Sequence, residues 1–239
     1  MALGPNNRYA FGGAIGQAQI DAGLRSHMLR VYQFMTMGLG ITGLVAALVA
    51  FTPALRDVIL LSPLRWVVML APLAFVFFFS FRIDRMTFAT AQAAFLAFSA
   101  VMGASMASIF LVFTGESIVR VFFITAGTFA AMSLYGYTTK TDLSRMGSFM
   151  VMGLIGIVIA SLVNIFIGSS ALQFAISVIG VIVFTGLTAW DTQQIKEQYA
   201  EHWDSESKGK LAVMGALTLY LDFINLFQML LSLLGNREE

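Results

Sequence analysis

The sequence predicts an all-α integral membrane protein of seven transmembrane helices, and three observations carry that prediction. Of 239 residues, 58% are hydrophobic and 11% charged, with mean hydropathy +0.82; a soluble domain carries roughly 25% charged residues. The 27 charged side chains are too few to cover a soluble globule of this length. Apolar stretches recur at lengths close to the ~20 residues that span a hydrocarbon core. The charges themselves fall mostly between those stretches.

Residues 1–28 are polar, with Pro5, Arg8, Asp21 and Arg25, and lack the apolar run of a cleaved secretory signal. They read as a retained cytoplasmic tail. Apolar stretches follow at 29–52, 66–83, 87–113, 118–138, 146–167, 171–191 and 211–234. Arg82, Asp84 and Arg85 are the only interruption between Trp66 and Phe113, a run too long for one span, so these charges mark a tight turn at the membrane surface. Pro72 lies inside the second helix, where it frees a backbone carbonyl and favours a kink. In the third, Ser99, Gly103 and Ala107 form one stripe of small residues and Ala100, Ala104 and Ser108 another, which predicts close helix contact on two faces. The segment from Lys196 to Lys210 is the one long polar loop, and residues 236–239 are a short terminal tail after a domain over 29–235.

Lys and Arg set the orientation. Ten of the 14 fall on one side of the seven spans (Arg8, Arg25, Arg30, Arg82, Arg85, Lys140, Arg145, Lys196, Lys208, Lys210) and four on the other. The positive-inside bias then puts the amino terminus in the cytoplasm and the carboxyl terminus outside.

Several chemistries are excluded by what the helices lack. A retinal Schiff base needs a lysine inside a helix, and Lys140, Lys196, Lys208 and Lys210 lie in loops or at helix ends. The two histidines, His27 and His202, lie outside the apolar spans, so bis-histidine haem, a zinc-protease helix motif and a base for an intramembrane serine are all missing. With no cysteine there is no thiolate chemistry either. A net charge of +1 leaves no nucleic-acid footprint. The expectation is a protein that is not an enzyme.

Two carboxylates stand inside apolar helices. Asp191 closes the sixth in the run Gly186-Leu-Thr-Ala-Trp-Asp191-Thr-Gln-Gln-Ile195, and Asp222 lies in Leu217-Thr-Leu-Tyr-Leu-Asp222-Phe-Ile-Asn225-Leu-Phe of the seventh. Ionisable groups at membrane depth are costly and face a bundle interior, a partner or a water path. Both fall in the cytoplasmic halves of antiparallel neighbours, so they are expected to meet. Thr185 and Thr188 share a face with Asp191, and Thr218, Asn225 and Gln228 a face with Asp222, which predicts a polar seam through the core. Two close carboxylates at low dielectric cannot both ionise cheaply and share a proton. When both are ionised their oxygens suit a hard cation such as Ca²⁺, making Asp191 and Asp222 the candidate metal ligands, for a permeant or transiently bound ion with no permanent cofactor. Arg85, with Arg82 as an alternative, could pair with an aspartate and latch a pore shut; the competing reading of both is a headgroup anchor.

The stretches 176–184, Ala189-Trp-Asp191-Thr-Gln-Gln-Ile195-Lys196 and Ala216-Leu-Thr-Leu-Tyr-Leu-Asp222-Phe-Ile-Asn225-Leu-Phe227 closely resemble the signature of the Bax inhibitor family, the transmembrane Bax inhibitor motif proteins, in its bacterial branch. Thr139-Lys-Thr-Asp142-Leu-Ser144 and the region from Ala100 to Gly103 are weaker echoes, and the likeness runs over about residues 25–235. The resemblance implies six helices wrapped around a central seventh, residence in the bacterial inner membrane and a pH-sensitive Ca²⁺ leak. It assigns the pH sensor and ion gate to Asp191 and Asp222 and the latch to Arg85. Some bacterial relatives restrain an ATP-dependent, membrane-anchored protease, so a second expectation is an interaction protein gripped through residues 1–28 and the loop 196–210. A proton-coupled transporter using the same aspartates is a third.

Overall fold

The computed structural model describes residues 5–238. Its elements are helices: α1 (Pro5–Phe51), α2 (Pro53–Ile59), α3 (Leu64–Arg82), a 3-10 turn (Ile83–Arg85), α4 (Phe88–Met106), α5 (Ile109–Val112), α6 (Gly115–Thr138), α7 (Ser144–Ile167), α8 (Ser170–Gln198) and α9 (Ser205–Leu234). The helix covering much of the predicted tail is continuous with the first span, since α1 begins at Pro5.

Local chemistry fixes the breaks. α1 ends one residue before Thr52, which precedes Pro53 and is extended at φ −100°, ψ 106°, and Pro53 opens α2 as its first residue. Thr87, Thr114 and Ser169 accept hydrogen bonds from Thr90, Ser117 and Leu172 amides at the starts of α4, α6 and α8, and the Asp204 carboxylate caps α9. Gly168, at φ +65°, ends α7 in the left-handed conformation that glycine adopts without steric cost. α3 runs unbroken through Pro72; the sharp bend lies earlier, where α2 and α3 meet at 78°.

Six helices are each long and apolar enough to cross a membrane, and the bent α2–α3 pair raises that to seven if it is one span. α1 runs parallel to the span made by α4 and α5: Phe34 meets Phe88 at 6.1 Å between ring centroids, and Phe51 meets Phe110 of α5 at 5.7 Å. The α2–α3 segment therefore carries the chain back from the Phe51 end of the bundle to the Phe88 end.

Packing separates inner from outer helices. α9 lies against α1, α4, α6 and α8. Half of its apolar window, 50%, is buried inside the protein, against 6% for α7, whose outer face is left to lipid. Of the two small-residue stripes on α4, Ser99, Gly103 and Ala107 are buried, whereas Ala100 and Ala104 are half-buried and Ser108 is exposed. The closest approach uses the first stripe, and α4 packs against α1, α3 and α9. A Cβ on Gly103 would stand 2.5 Å from the Thr42 carbonyl oxygen of α1. Gly136 allows the same approach of α6 to α8, where a side chain would strike the Ala189 backbone.

Candidate functional site

α8 and α9 pack antiparallel, with Ile195 against Gly215 near one end and Ser177 Oγ donating to Ser232 Oγ at 3.1 Å near the other. That register brings the Asp191 and Asp222 carboxyl groups within hydrogen-bonding reach of each other. Asp222 is 5% exposed and its Oδ2 has no hydrogen-bond partner, while Asp191 is half-buried. Among the described residues no cationic side chain lies within 4 Å of either, and the one ion pair is Arg56–Asp57 on the surface. Two buried carboxyl groups without a counter-charge are stable together when a proton bridges them, and become a strongly cation-attracting site when it leaves.

The neighbours predicted to extend the site as a polar seam spend their polar atoms locally. Thr188 Oγ1 donates to the Phe184 carbonyl at 2.7 Å, Thr218 Oγ1 to Met214 at 3.2 Å and Asn225 Nδ2 to Leu221 at 2.8 Å, each four residues back on its own helix. Arg85 sits in the 3-10 turn after α3, exposed, and neither it nor Arg82 is ion-paired to Asp191 or Asp222. Among the described residues no three His, Asp or Glu side chains converge to hold a metal. Asp191 and Asp222 supply at most four carboxylate oxygens, short of the six to eight that Ca²⁺ takes, so a Ca²⁺ ion here would need water ligands as well.

Two buried hydroxyl chains flank the pair, and neither was read from the sequence. In one, Tyr32 OH donates to Ser133 Oγ at 2.6 Å, Ser133 to Thr192 Oγ1 at 2.9 Å, and Thr192 to the Thr188 carbonyl at 2.7 Å. This chain ties α1 and α6 to the residue next to Asp191. In the other, Tyr220 OH donates to Thr42 Oγ1 at 2.6 Å, and Thr42 donates to the carbonyls of Gly38 and Ser99, both at 2.9 Å. It ties α1 and α4 to α9 two residues before Asp222. Tyr220 is fully buried, edge-on to Phe95 and Phe98. The signal available was the phenol itself: a tyrosine inside an apolar helix needs a partner for its hydroxyl.

A third set closes the end of the bundle near Lys196. Gln193 clamps the segment before α7, its Oε1 accepting from the Leu143 amide at 2.8 Å and its Nε2 donating to the Thr141 carbonyl at 2.9 Å. Lys196 Nζ donates to the Tyr137 carbonyl at 2.9 Å. In the clamped segment the Ser144 hydroxyl and amide hold the Asp142 carboxyl below its ordinary range. The Glu206 carboxylate accepts from the Phe88 amide at 2.5 Å, fastening the start of α9 to the start of α4. The residues of the Thr139–Ser144 and Gln193–Lys196 signatures therefore form one interlocked corner.

The chain matches the model of the Bax1-I family, described as "Inhibitor of apoptosis-promoting Bax1", over residues 24–239. It is 47% identical to an uncharacterised protein of Rickettsia prowazekii over 219 residues, covering 92% of this chain and 93% of the relative. It is 46% identical to the inner membrane protein YbhL of Escherichia coli over 222 residues, with 92% and 95% covered. A Streptococcus pyogenes relative described as a membrane protein is 36% identical, with 92% and 96% covered.

Proposed function

This chain belongs to the Bax inhibitor family of multi-pass membrane proteins, and from that premise we propose that it is a pH-sensitive cation leak that passes Ca²⁺ through its helix bundle, gated by Asp191 and Asp222. The observation that carries the reading is the meeting of two carboxyl groups in the bundle interior with no cationic side chain beside them among the described residues. With a proton between them, the pair holds α8 against α9. Without it, two like charges at low dielectric repel, and the repulsion is relieved by separation of the helices or by a cation. Either outcome changes the conductance of the seam between α8 and α9, so proton concentration sets the leak without ATP or any chemical step.

The arrangement proposed is seven crossings with α9 at the centre, amino terminus in the cytoplasm. Support for the seventh crossing comes from the parallel run of α1 and α4, because two parallel neighbours need an odd number of crossings between them. Support for the central helix is its contact with α1, α4, α6 and α8. Arg85 is the proposed latch, reaching the ionised pair through movement of the 3-10 turn that carries it.

Ca²⁺ efflux from proteoliposomes tests this. The wild type is expected to leak at different rates at acidic and neutral pH, and Asp191→Asn or Asp222→Asn to erase the difference. An unaltered pH response in both variants would sink the gate. Arg85→Ala is expected to raise basal leak, and a lower leak argues against the latch.

A further inference from the structure

Along the flank of the bundle, α1 and α6 diverge around a cleft of about 610 Å³. Its walls are apolar, with Met28, Met35 and Leu39 from α1 and Phe122 and Phe129 from α6, and Phe223 of α9 closes the floor. Leu29 and Leu134, 52% and 63% exposed, stand at its rim, so it opens sideways toward lipid and not toward water. One end is different. Arg25 and Tyr137 stand there, Lys196 Nζ lies on the Tyr137 carbonyl at 2.9 Å, and no Asp or Glu appears among the described lining residues. From Arg25 to Leu39 is about 21 Å along the axis of α1. That is one leaflet's half of a ~30 Å hydrocarbon core plus part of its headgroup layer.

We propose that this cleft binds one anionic phospholipid of the leaflet on the Arg25 side, with an acyl chain lying between α1 and α6 and its phosphate at Arg25. A lateral opening admits a molecule already in the bilayer and offers no route to a soluble anion. The cationic end, with no carboxylate among the described lining residues, selects a negative headgroup. The chain of the bound lipid packs on Tyr32 and Ser133, the two hydroxyl residues that lead through Thr192 to the neighbour of Asp191. Lipid occupancy thereby bears on the packing of α1 and α6 against α8. The inference rests on membrane residence and not on ion conduction, so a protein that binds the lipid and passes no Ca²⁺ leaves it standing.

The test is photo-crosslinking of the full chain in nanodiscs that contain trace phosphatidylglycerol or phosphatidylcholine bearing a diazirine in one acyl chain, with adducts mapped by mass spectrometry. Adducts are expected to concentrate on residues 28–39 and 122–134, with the anionic probe favoured about fivefold. Arg25→Ala should bring the two probes level. Ala126→Trp, which fills the cleft, should remove adducts there and leave those on the outer face of α7 unchanged. Should that variant fail to fold, Ala130→Phe at the open edge serves the same purpose. Even labelling around the whole apolar belt, or cleft labelling indifferent to the filling variants, overturns the site. Equal labelling by both headgroups in the wild type overturns the anionic preference.

Discussion

A carboxyl group at membrane depth is conspicuous because almost nothing else there is charged, and Asp191 and Asp222 were legible for that reason alone. Their surroundings were not. Threonine and asparagine at helical spacing from an aspartate suggest a shared polar face, yet in an apolar helix a lone hydroxyl or amide is satisfied most cheaply by the carbonyl one turn back on its own helix, as Thr188, Thr218 and Asn225 show. A tyrosine is too long for that, so Tyr32 and Tyr220 reach across to other helices. Removing the Tyr220 hydroxyl tests the difference. Tyr220→Phe keeps the ring contacts with Phe95 and Phe98 and leaves Thr42 bonded to Gly38 and Ser99, so unfolding in denaturant should show a loss of about 1 kcal/mol. Tyr32→Phe deprives Ser133 of its donor and should cost a similar amount. No loss in either variant would mean that the hydroxyl chains do not hold the bundle.

At the scale of elements, hydropathy reads the length of a span and not the length of a helix. The loop expected over 196–210 shrinks to the residues between Gln198 and Ser205, because Asp204 caps α9 and starts it well outside the apolar run. Lys208 and Lys210 thus sit on helix, not loop. The Ser207 hydroxyl and amide hold the Asp204 carboxyl below its ordinary range. Its contribution to α9 is therefore complete above the ordinary carboxylate pKa of roughly 4 and is lost as pH falls through the lowered folded value. Amide hydrogen exchange checks the cap: Asp204→Ala should speed exchange at 206–207, and Asp204→Asn, which keeps an acceptor oxygen, should not. Small residues were half-legible in the same way. A stripe such as Ser99, Gly103 and Ala107 announces a close contact, but only the partner helix decides which of two stripes it occupies. Gly103→Leu forces a side chain into the α1 backbone at Thr42 and should abolish folded yield, whereas Ala100→Leu on the half-buried face should be tolerated.

For the whole molecule, the sequence places the second crossing at 66–83, whereas the structure joins α3 to a short α2 over 53–59 through a 78° bend, so the seventh crossing depends on that pair. The parallel pairing of α1 with α4 is a tertiary fact that no window of hydropathy contains. The chain has no cysteine, so single-cysteine labelling needs no background substitutions. Seven crossings predict that cysteines at Thr141 and Glu201 react with an impermeant maleimide only from the cytoplasmic side and those at Ser62 and Asn236 only from the other. If Ser62 and Glu201 label from the same side, the α2–α3 pair is a re-entrant loop and the seven-span arrangement fails. The carboxyl-terminal tail offers a built-in control: the Thr114 amide donates to the Asn236 carbonyl and the Glu238 amide to the Val112 carbonyl, both at 3.0 Å, which holds the tail at the end of the bundle opposite Lys196.

Proton sharing by the aspartate pair is tested most directly by infrared difference spectroscopy of the reconstituted protein, taken across the pH interval in which Ca²⁺ efflux changes. The pair predicts one carbonyl band of a protonated carboxyl group that shifts in D₂O, changes with pH alongside the flux, and is displaced or lost in Asp191→Asn and in Asp222→Asn alike. A band that persists unchanged in either variant, or the absence of any carboxyl band that follows the flux, would contradict it.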